Sequence, residues 1–192
     1  MRIFAWGRTD VGRKRDHNED SFLLCPDLGL FAVADGMGGH AGGDRASRMA
    51  VEILEQEVRQ TRFGGTMPLG AAGEATQALA LREAARRASA GIHALGETDP
   101  QLGGMGTTLT AVLIHGGRAY LAHVGDSRAY LHRDDKLEQL TDDHSWIEEQ
   151  VRAGLMSESE AQESSLRHTI WRARQESSHP RTELCTCEHS RQ

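Results

Sequence analysis

Asp35 stands at the end of an apolar run, Gly29 to Ala34, and Gly36-Met37-Gly38-Gly39-His40-Ala41-Gly42-Gly43 follows it at once. A carboxylate so placed can aim its oxygens off the end of a buried strand. The glycines let the backbone turn sharply and bring a main-chain carbonyl close to whatever Asp35 holds. Carboxylate plus carbonyl is an oxygen donor set suited to a hard divalent cation such as magnesium or manganese. Taken alone, the stretch also reads as an ordinary glycine-rich turn from strand to helix. Asp20, with Glu19 beside it, lies just before one strand of a hairpin whose other strand ends at Asp35. The two ends are neighbours in an antiparallel pair, so these carboxylates meet at one rim. Gly125-Asp126 brings a further carboxylate to a sheet end. Asp20 also reads as an edge charge and Asp126 as a turn former. Acids that converge unpaired repel one another, and a cation is the natural compensation. Arg15 offers a guanidinium fork that matches phosphate, although it also reads as a solvated member of a loop with Arg13 and Lys14. His40 and His144 are candidate proton carriers, while a lone histidine is more often structural.

The elements that must position these groups follow from periodicity. Met1 to Trp6 reads as a first strand, and Gly7 to Asp16 as a polar, turn-rich connection. Ser21 to Cys25 and Gly29 to Ala34 read as a hairpin. Ala46, Met49, Ala50, Ile53 and Leu54 fall at helical spacing in a helix from about Asp44 to Gly64-Gly65. A second helix spans about Ala71 to Leu95 with the stripe Ala78, Leu81, Ala85, Ala88, Ile92 and Leu95. The two helices are expected to pair antiparallel, and their alanines permit close packing. From Gly103 the period changes to two. Leu109, Ala111 and Leu113 share one face of a strand, and Thr108, Thr110, Val112 and Ile114 the other. Ala119 to Val124 and Ser127 to His132 read as strands joined by a tight Gly125-Asp126 hairpin. Leu137 to Leu140 is a short strand after the turn Arg133-Asp134-Asp135-Lys136. Ser145-Trp146-Ile147-Glu148 and Ser157-Glu158-Ser159-Glu160 have capping-box spacing and start two short helices. Strands, then two long helices, then strands argue for an α+β fold of antiparallel sheets covered by helices.

The chain has 192 residues, a length that fits one domain with a sizeable core. Its net charge of -6 leaves no general basic footprint for nucleic acid or an anionic membrane. The N-terminus is too short in apolar residues for a signal peptide, and no run approaches the roughly 20 residues of a membrane span. Three cysteines, Cys25, Cys185 and Cys187, make no disulfide framework. These features together point to the cytoplasm. Apolar content is 38% and mean hydropathy -0.53, low for a fully packed chain. The shortfall concentrates after Leu166, where Arg167 to Gln192 has few apolar residues and no clear period. The expected division is a folded domain over 1–166 and a disordered tail over 167–192. Cys185-Thr186-Cys187-Glu188-His189 lacks the second ligand pair of a zinc site.

Five motifs occur in order: Arg15-x-x-Asn18-Glu19-Asp20-Ser21, Ala34-Asp35-Gly36-Met37-Gly38-Gly39-His40, Gly104-Met105-Gly106-Thr107-Thr108-Leu109, His123-Val124-Gly125-Asp126-Ser127-Arg128, and Leu140-Thr141-x-Asp143-His144-Ser145. Together they resemble the bacterial members of the metal-dependent protein phosphatase (PPM, type 2C) family over about Ile3 to Leu166. The resemblance implies a sandwich of two antiparallel β-sheets flanked by antiparallel helices, with a binuclear manganese or magnesium site at one edge. It implies that Asp35 bridges the metals, that the Gly36 carbonyl binds one of them, and that Glu19 and Asp20 contact it largely through water. Asp126 matches an acid of a third, weaker metal, Arg15 the arginine that holds the substrate phosphate, and His40 a histidine near the substrate. The implied activity is hydrolysis of phosphoserine and phosphothreonine in proteins by a metal-activated water, with a cognate serine/threonine kinase as a further partner.

The sequence also departs from that pattern. Met37 occupies the place where some relatives carry a candidate general acid, and Asp44 stands where relatives often carry Glu. The later Ser-Asp-Gly and final Asp-Asn motifs, whose aspartates complete one metal's ligands, are absent. The resemblance stops near Ile170, which reads as a C-terminal truncation with a tail from a shifted frame. A phosphatase of weak or no turnover is therefore expected. The alternative is a non-catalytic module that binds phosphoproteins or a metal through Arg15, Asp35 and Gly36.

Overall fold

The structure, a computed structural model, describes residues 2–38, 41–63, 76–144, 157 and 183–188. Its centre is an antiparallel sheet built on the hairpin of β1 (Asp20–Cys25) and β2 (Leu30–Met37). β2 continues to β4 (Leu109–His115), which pairs with β5 (Arg118–Val124), and β5 with β8 (Glu183–Glu188). A two-residue strand, β3 (Gly106–Thr107), pairs with the far end of β2 at Gly36 and Met37. β6 (Tyr130–Arg133) and β7 (Lys136–Gln139) form a separate two-stranded sheet.

Two helices cover one face of the main sheet: α1 (Ala41–Phe63) and α2 (Thr76–Thr98). They run antiparallel, because Ile53 packs where Gly91 comes close and Glu57 pairs with Arg87. Of the stripes expected from spacing, Ala46, Ala50 and Leu54 on α1 and Ala78, Leu81, Ala85, Ala88 and Ile92 on α2 are buried, while Met49, Ile53 and Leu95 are half-buried. The sheet answers with Leu30, Ala32, Ala34, Leu109, Ala111 and Leu113. Small side chains on both layers let the helices lie close to the strands, so Asp35 leaves the end of β2 from a firmly packed base. The fold is the expected α+β arrangement of antiparallel sheets and antiparallel helices.

Three local expectations differ from the structure. Residues 2–10 are not a strand. The apolar alternation there is real, but no strand of the described residues runs beside it to take its backbone hydrogen bonds. Phe4 and Trp6 instead stay exposed and stack on each other, with ring centroids 6.2 Å apart. Gly125-Asp126 is not a hairpin turn. β5 pairs with β4 and β8, and the chain leaves the sheet at Gly125 to reach β6. The tight two-residue hairpins are Gly116-Gly117, between β4 and β5, and Asp134-Asp135, between β6 and β7, where both residues take positive φ, 50° and 57°, as such a turn requires. Thirdly, within the region read as a tail, Glu183–Glu188 lies along β5 from Arg118 to His123. The helix expected to start at Ser145, the rest of that expected from Ser157, and the remainder of the tail lie outside the described residues.

Candidate active site

Asp20 and Asp35 are direct partners in the β1–β2 register, at the rim where β1 begins and two residues before β2 ends. Strand alternation places their side chains on the same face, and the two carboxyl groups are within hydrogen-bonding reach of each other. Asp35 is raised above the ordinary aspartate value of 3.8, first by partial burial of its carboxyl and next by the charge of Asp20. Arg15 opposes this by stabilising the charged form, and Asp126 adds to it as a third acid acting through space. Of the sequence-derived candidates, Asp20 and Asp35 are thus direct neighbours, and Arg15 and Asp126 act on Asp35 through space. Asp35 as a whole residue is open to solvent, so the desolvation belongs to the carboxyl's seat at the rim.

The backbone of Asp35 is clamped by the segment that follows Gly106. Its N–H donates to Thr108 Oγ1 at 2.9 Å, and its carbonyl accepts from the Thr108 N–H at 2.9 Å and from Thr107 Oγ1 at 3.0 Å. Thr108 is fully buried and its hydroxyl also meets Ser127 Oγ at 2.8 Å. Thr110 Oγ1 donates to the Ser127 carbonyl at 2.9 Å. Two threonines therefore tie the strand that carries Asp35 to the residue next to Asp126. Gly125 makes room for this link. Its φ is +110°, and a Cβ there would lie 2.6 Å from Thr108 Cγ2.

His144 is part of the same scaffold. It is buried, its Nδ1 accepts from the Gly125 N–H at 3.3 Å, and its own N–H donates to the Gly125 carbonyl at 2.7 Å. Its ring lies 4.8 Å from that of His123, which contacts Thr110 Oγ1 and the Asp142 carbonyl. That placement makes His144 a support for the Asp126 loop and not a proton carrier at the rim. Arg128 and Asp143 add a forked ion pair, with a closest approach of 2.6 Å.

Glu19 takes part through its backbone, whose carbonyl accepts from the Gly36 N–H at 3.1 Å. Its carboxylate sits against Gly43 in the first turn of α1, where a Cβ would come within 2.8 Å of Glu19 Cδ. Gly36 is buried between these segments, and a Cβ on it would collide with the Gly43 carbonyl oxygen. His40 lies outside the described residues. Sequence reasoning missed Thr9, Thr107, Thr108, Thr110 and Ser127. The signal for Thr108 and Thr110 was present as hydroxyls recurring on alternate positions of an otherwise apolar strand. Thr9, which donates to Asp20 Oδ2 at 3.0 Å, gave none.

Among the described residues, no three Asp, Glu, His or Cys side chains lie close enough to hold an ion by themselves. The Asp20–Asp35 pair does fit a magnesium-like ion, which takes one or two carboxylates and keeps several waters. The Asp35 carboxyl is raised first by burial and next by the charge of Asp20, and a cation would relieve the second of these.

Known proteins resemble this chain over most of its length. The family model described as protein phosphatase 2C matches residues 11–179, a span that crosses the 166/167 boundary. The serine/threonine phosphatase Stp of Listeria welshimeri is 39% identical over 169 residues, covering 86% of this chain and 64% of that protein. The serine/threonine protein phosphatase PstP of Mycobacterium tuberculosis is 41% identical over 167 residues, covering 86% of this chain and 30% of that protein. The catalytic domain of PstP, solved in complex with two manganese ions, superposes with a TM-score of 0.71 at 35% identity, covering 95% of this chain and 71% of that one. The chain thus spans less than two thirds of the Listeria relative's length.

Proposed function

Because the chain belongs to the protein phosphatase 2C family, we propose that it acts on phosphoserine and phosphothreonine in proteins, with manganese or magnesium at the Asp20–Asp35 rim. The observation that carries this reading is the direct pairing of Asp20 with Asp35 in the β1–β2 register, in a field to which Arg15 and Asp126 also contribute. Relatives named as serine/threonine phosphatases, and a two-manganese complex of one of them, support it. Divalent cations bound at the rim would supply a water acidic enough to act as a nucleophile at neutral pH.

This chain's residues have separate tasks in that reading. Asp35 and Asp20 hold the cations, and Glu19, Asp126 and the Gly36 carbonyl complete the surroundings. Arg15 orients the phosphate through its fork and stabilises charge on the equatorial oxygens. By the family resemblance His40 would match a histidine near the substrate. The Thr108–Ser127 link fixes the spacing of the two acid-bearing segments. A cognate serine/threonine kinase would supply the phosphoprotein.

A second reading is phosphoprotein or metal binding without turnover. The described carboxylate set centres on a single adjoining pair, and a loosely held cation lowers the pKa of water poorly. Manganese-dependent hydrolysis of a small aryl phosphate separates the two, with Asp35→Asn and a chelator as controls. Turnover lost in both controls establishes the enzyme. No turnover in a sample shown to be folded, with phosphopeptide still bound, establishes the binding module.

A further inference from the structure

We propose that the chain selects phosphopeptides with acidic residues beside the phosphorylated one, through the loop that precedes β1; this inference rests on the phosphopeptide-binding site read above. The loop is closed at its base. Thr9 Oγ1 donates to Asp20 Oδ2 at 3.0 Å and accepts from Asn18 Nδ2 at 2.8 Å, while Asn18 Oδ1 accepts from the Asp20 N–H at 3.1 Å. Its tip is a turn at Gly12–Lys14, set by the Gly12 N–H donating to Asp10 Oδ1 at 2.8 Å. The carboxylate that closes the loop is therefore the one paired with Asp35, so loop and site form one unit.

Over residues 8–20 the four cations Arg8, Arg13, Lys14 and Arg15 are matched by Asp10, Asp16, Glu19 and Asp20, but the acids lie toward the base, and Arg13-Lys14-Arg15 puts three consecutive cations at the tip on a chain of net charge -6. All of these cations are exposed. Among the described residues, Arg8, Arg13 and Lys14 stand in no ion pair, whereas the helix cations Arg48, Arg59, Arg86 and Arg87 each hold a carboxylate. Arg15 acts on Asp35 across the rim. Where Arg15 takes the phosphate, Lys14 and Arg13, one and two residues away, stand beside the flanking residues of the bound peptide. Unpaired cations there favour Glu and Asp and disfavour Lys and Arg, a matter of complementary charge rather than of shape.

The test uses phosphoserine peptides of equal length flanked by Glu, Ala or Lys, with affinity read by fluorescence anisotropy in manganese and turnover read by phosphate release. Aryl phosphate, which has no flanks, reports the site alone. At low salt the Glu-flanked peptide is expected to bind about fivefold more tightly than the Ala-flanked one, the scale of a few exposed ion pairs. The preference should fade near ~0.5 M salt. In the double variant Arg13→Glu/Lys14→Glu it should reverse, with circular dichroism and handling of aryl phosphate unchanged. Equal affinity for the three peptides, or an order untouched in the double variant, overturns the inference. Absent aryl phosphate turnover would count against the enzyme only, because the affinity order still decides the loop's role.

Discussion

At the scale of single residues, Asp35 is where the electrostatic cost of the site is concentrated. Its carboxyl is held above 3.8 in the folded chain, by burial first and by Asp20 next, so the folded state binds that proton more tightly than the unfolded one. In the metal-free protein its contribution to stability is therefore fully present below pH 3.8 and is lost as pH rises through the raised value. Asp35→Asn should raise the Tm of the chelator-treated protein at pH 7, with the gain shrinking toward pH 4, where the wild-type carboxyl takes its proton. The same substitution should abolish the rise in Tm that manganese gives the wild type by binding the folded state. Scanning calorimetry with and without the ion reads both. A second residue, Gly125, is fixed by geometry alone. Gly125→Ala combines a φ of +110° with a clash against Thr108, and urea unfolding should register a loss of about 2–4 kcal/mol.

At the scale of elements, the helices and the hairpins obey different kinds of rule. α1 and α2 follow a local period, and each buries most of the stripe that its own sequence marks out. The β6–β7 hairpin is held by a turn whose conformation aspartate tolerates but glycine adopts at lower cost. Asp134 and Asp135 both sit in the left-handed region, at φ 50° and 57°. Asp135→Gly removes the Cβ penalty at the second position and should stabilise the hairpin by about 1 kcal/mol. The hairpin is exposed along most of its length, so the change belongs to local opening rather than to global unfolding. Slower amide exchange across Tyr130–Gln139, with exchange in β4 unchanged, is the expected result.

At the scale of the whole molecule, the main sheet is two-sided in chemistry. One face is sealed by α1 and α2, while Phe22, Leu24 and Val33 on β1 and β2 remain 38–46% exposed. Phe22 and Val33 are direct cross-strand partners, so they make a contiguous apolar patch. Patches of this kind bind apolar dyes and favour self-association. Phe22→Thr/Val33→Thr puts a strand-favouring, β-branched residue at both positions and should lower both the fluorescence of a bound naphthalene sulfonate dye and light scattering on concentration, at a stability cost below about 1 kcal/mol.

Much of this molecule was legible before any coordinates, because its rules are local. The 3.6 and 2.0 periods marked α1, α2, β1, β2, β4 and β5, and the short link from Cys25 to Leu30 put Asp20 opposite Asp35. What the sequence could not decide was every question of who lies beside whom. Met1 to Trp6 has a strand's alternation, but a strand also needs a neighbour. Gly125-Asp126 has a hairpin's composition, but Thr108, Thr110 and His144 draw that segment away from β5 through hydrogen bonds spanning 17 to 19 residues. The buried hydroxyls that fix Asp35 were invisible for the same reason. Thr107 and Thr108 are 72 and 73 residues from the backbone they hold, and no periodicity carries information over that distance. Residue types and spacing determined which groups carry charge and which elements form. Only the packing of those elements decided which carboxylates meet and which histidine is buried beneath them, because contact and desolvation are properties of the assembled chain.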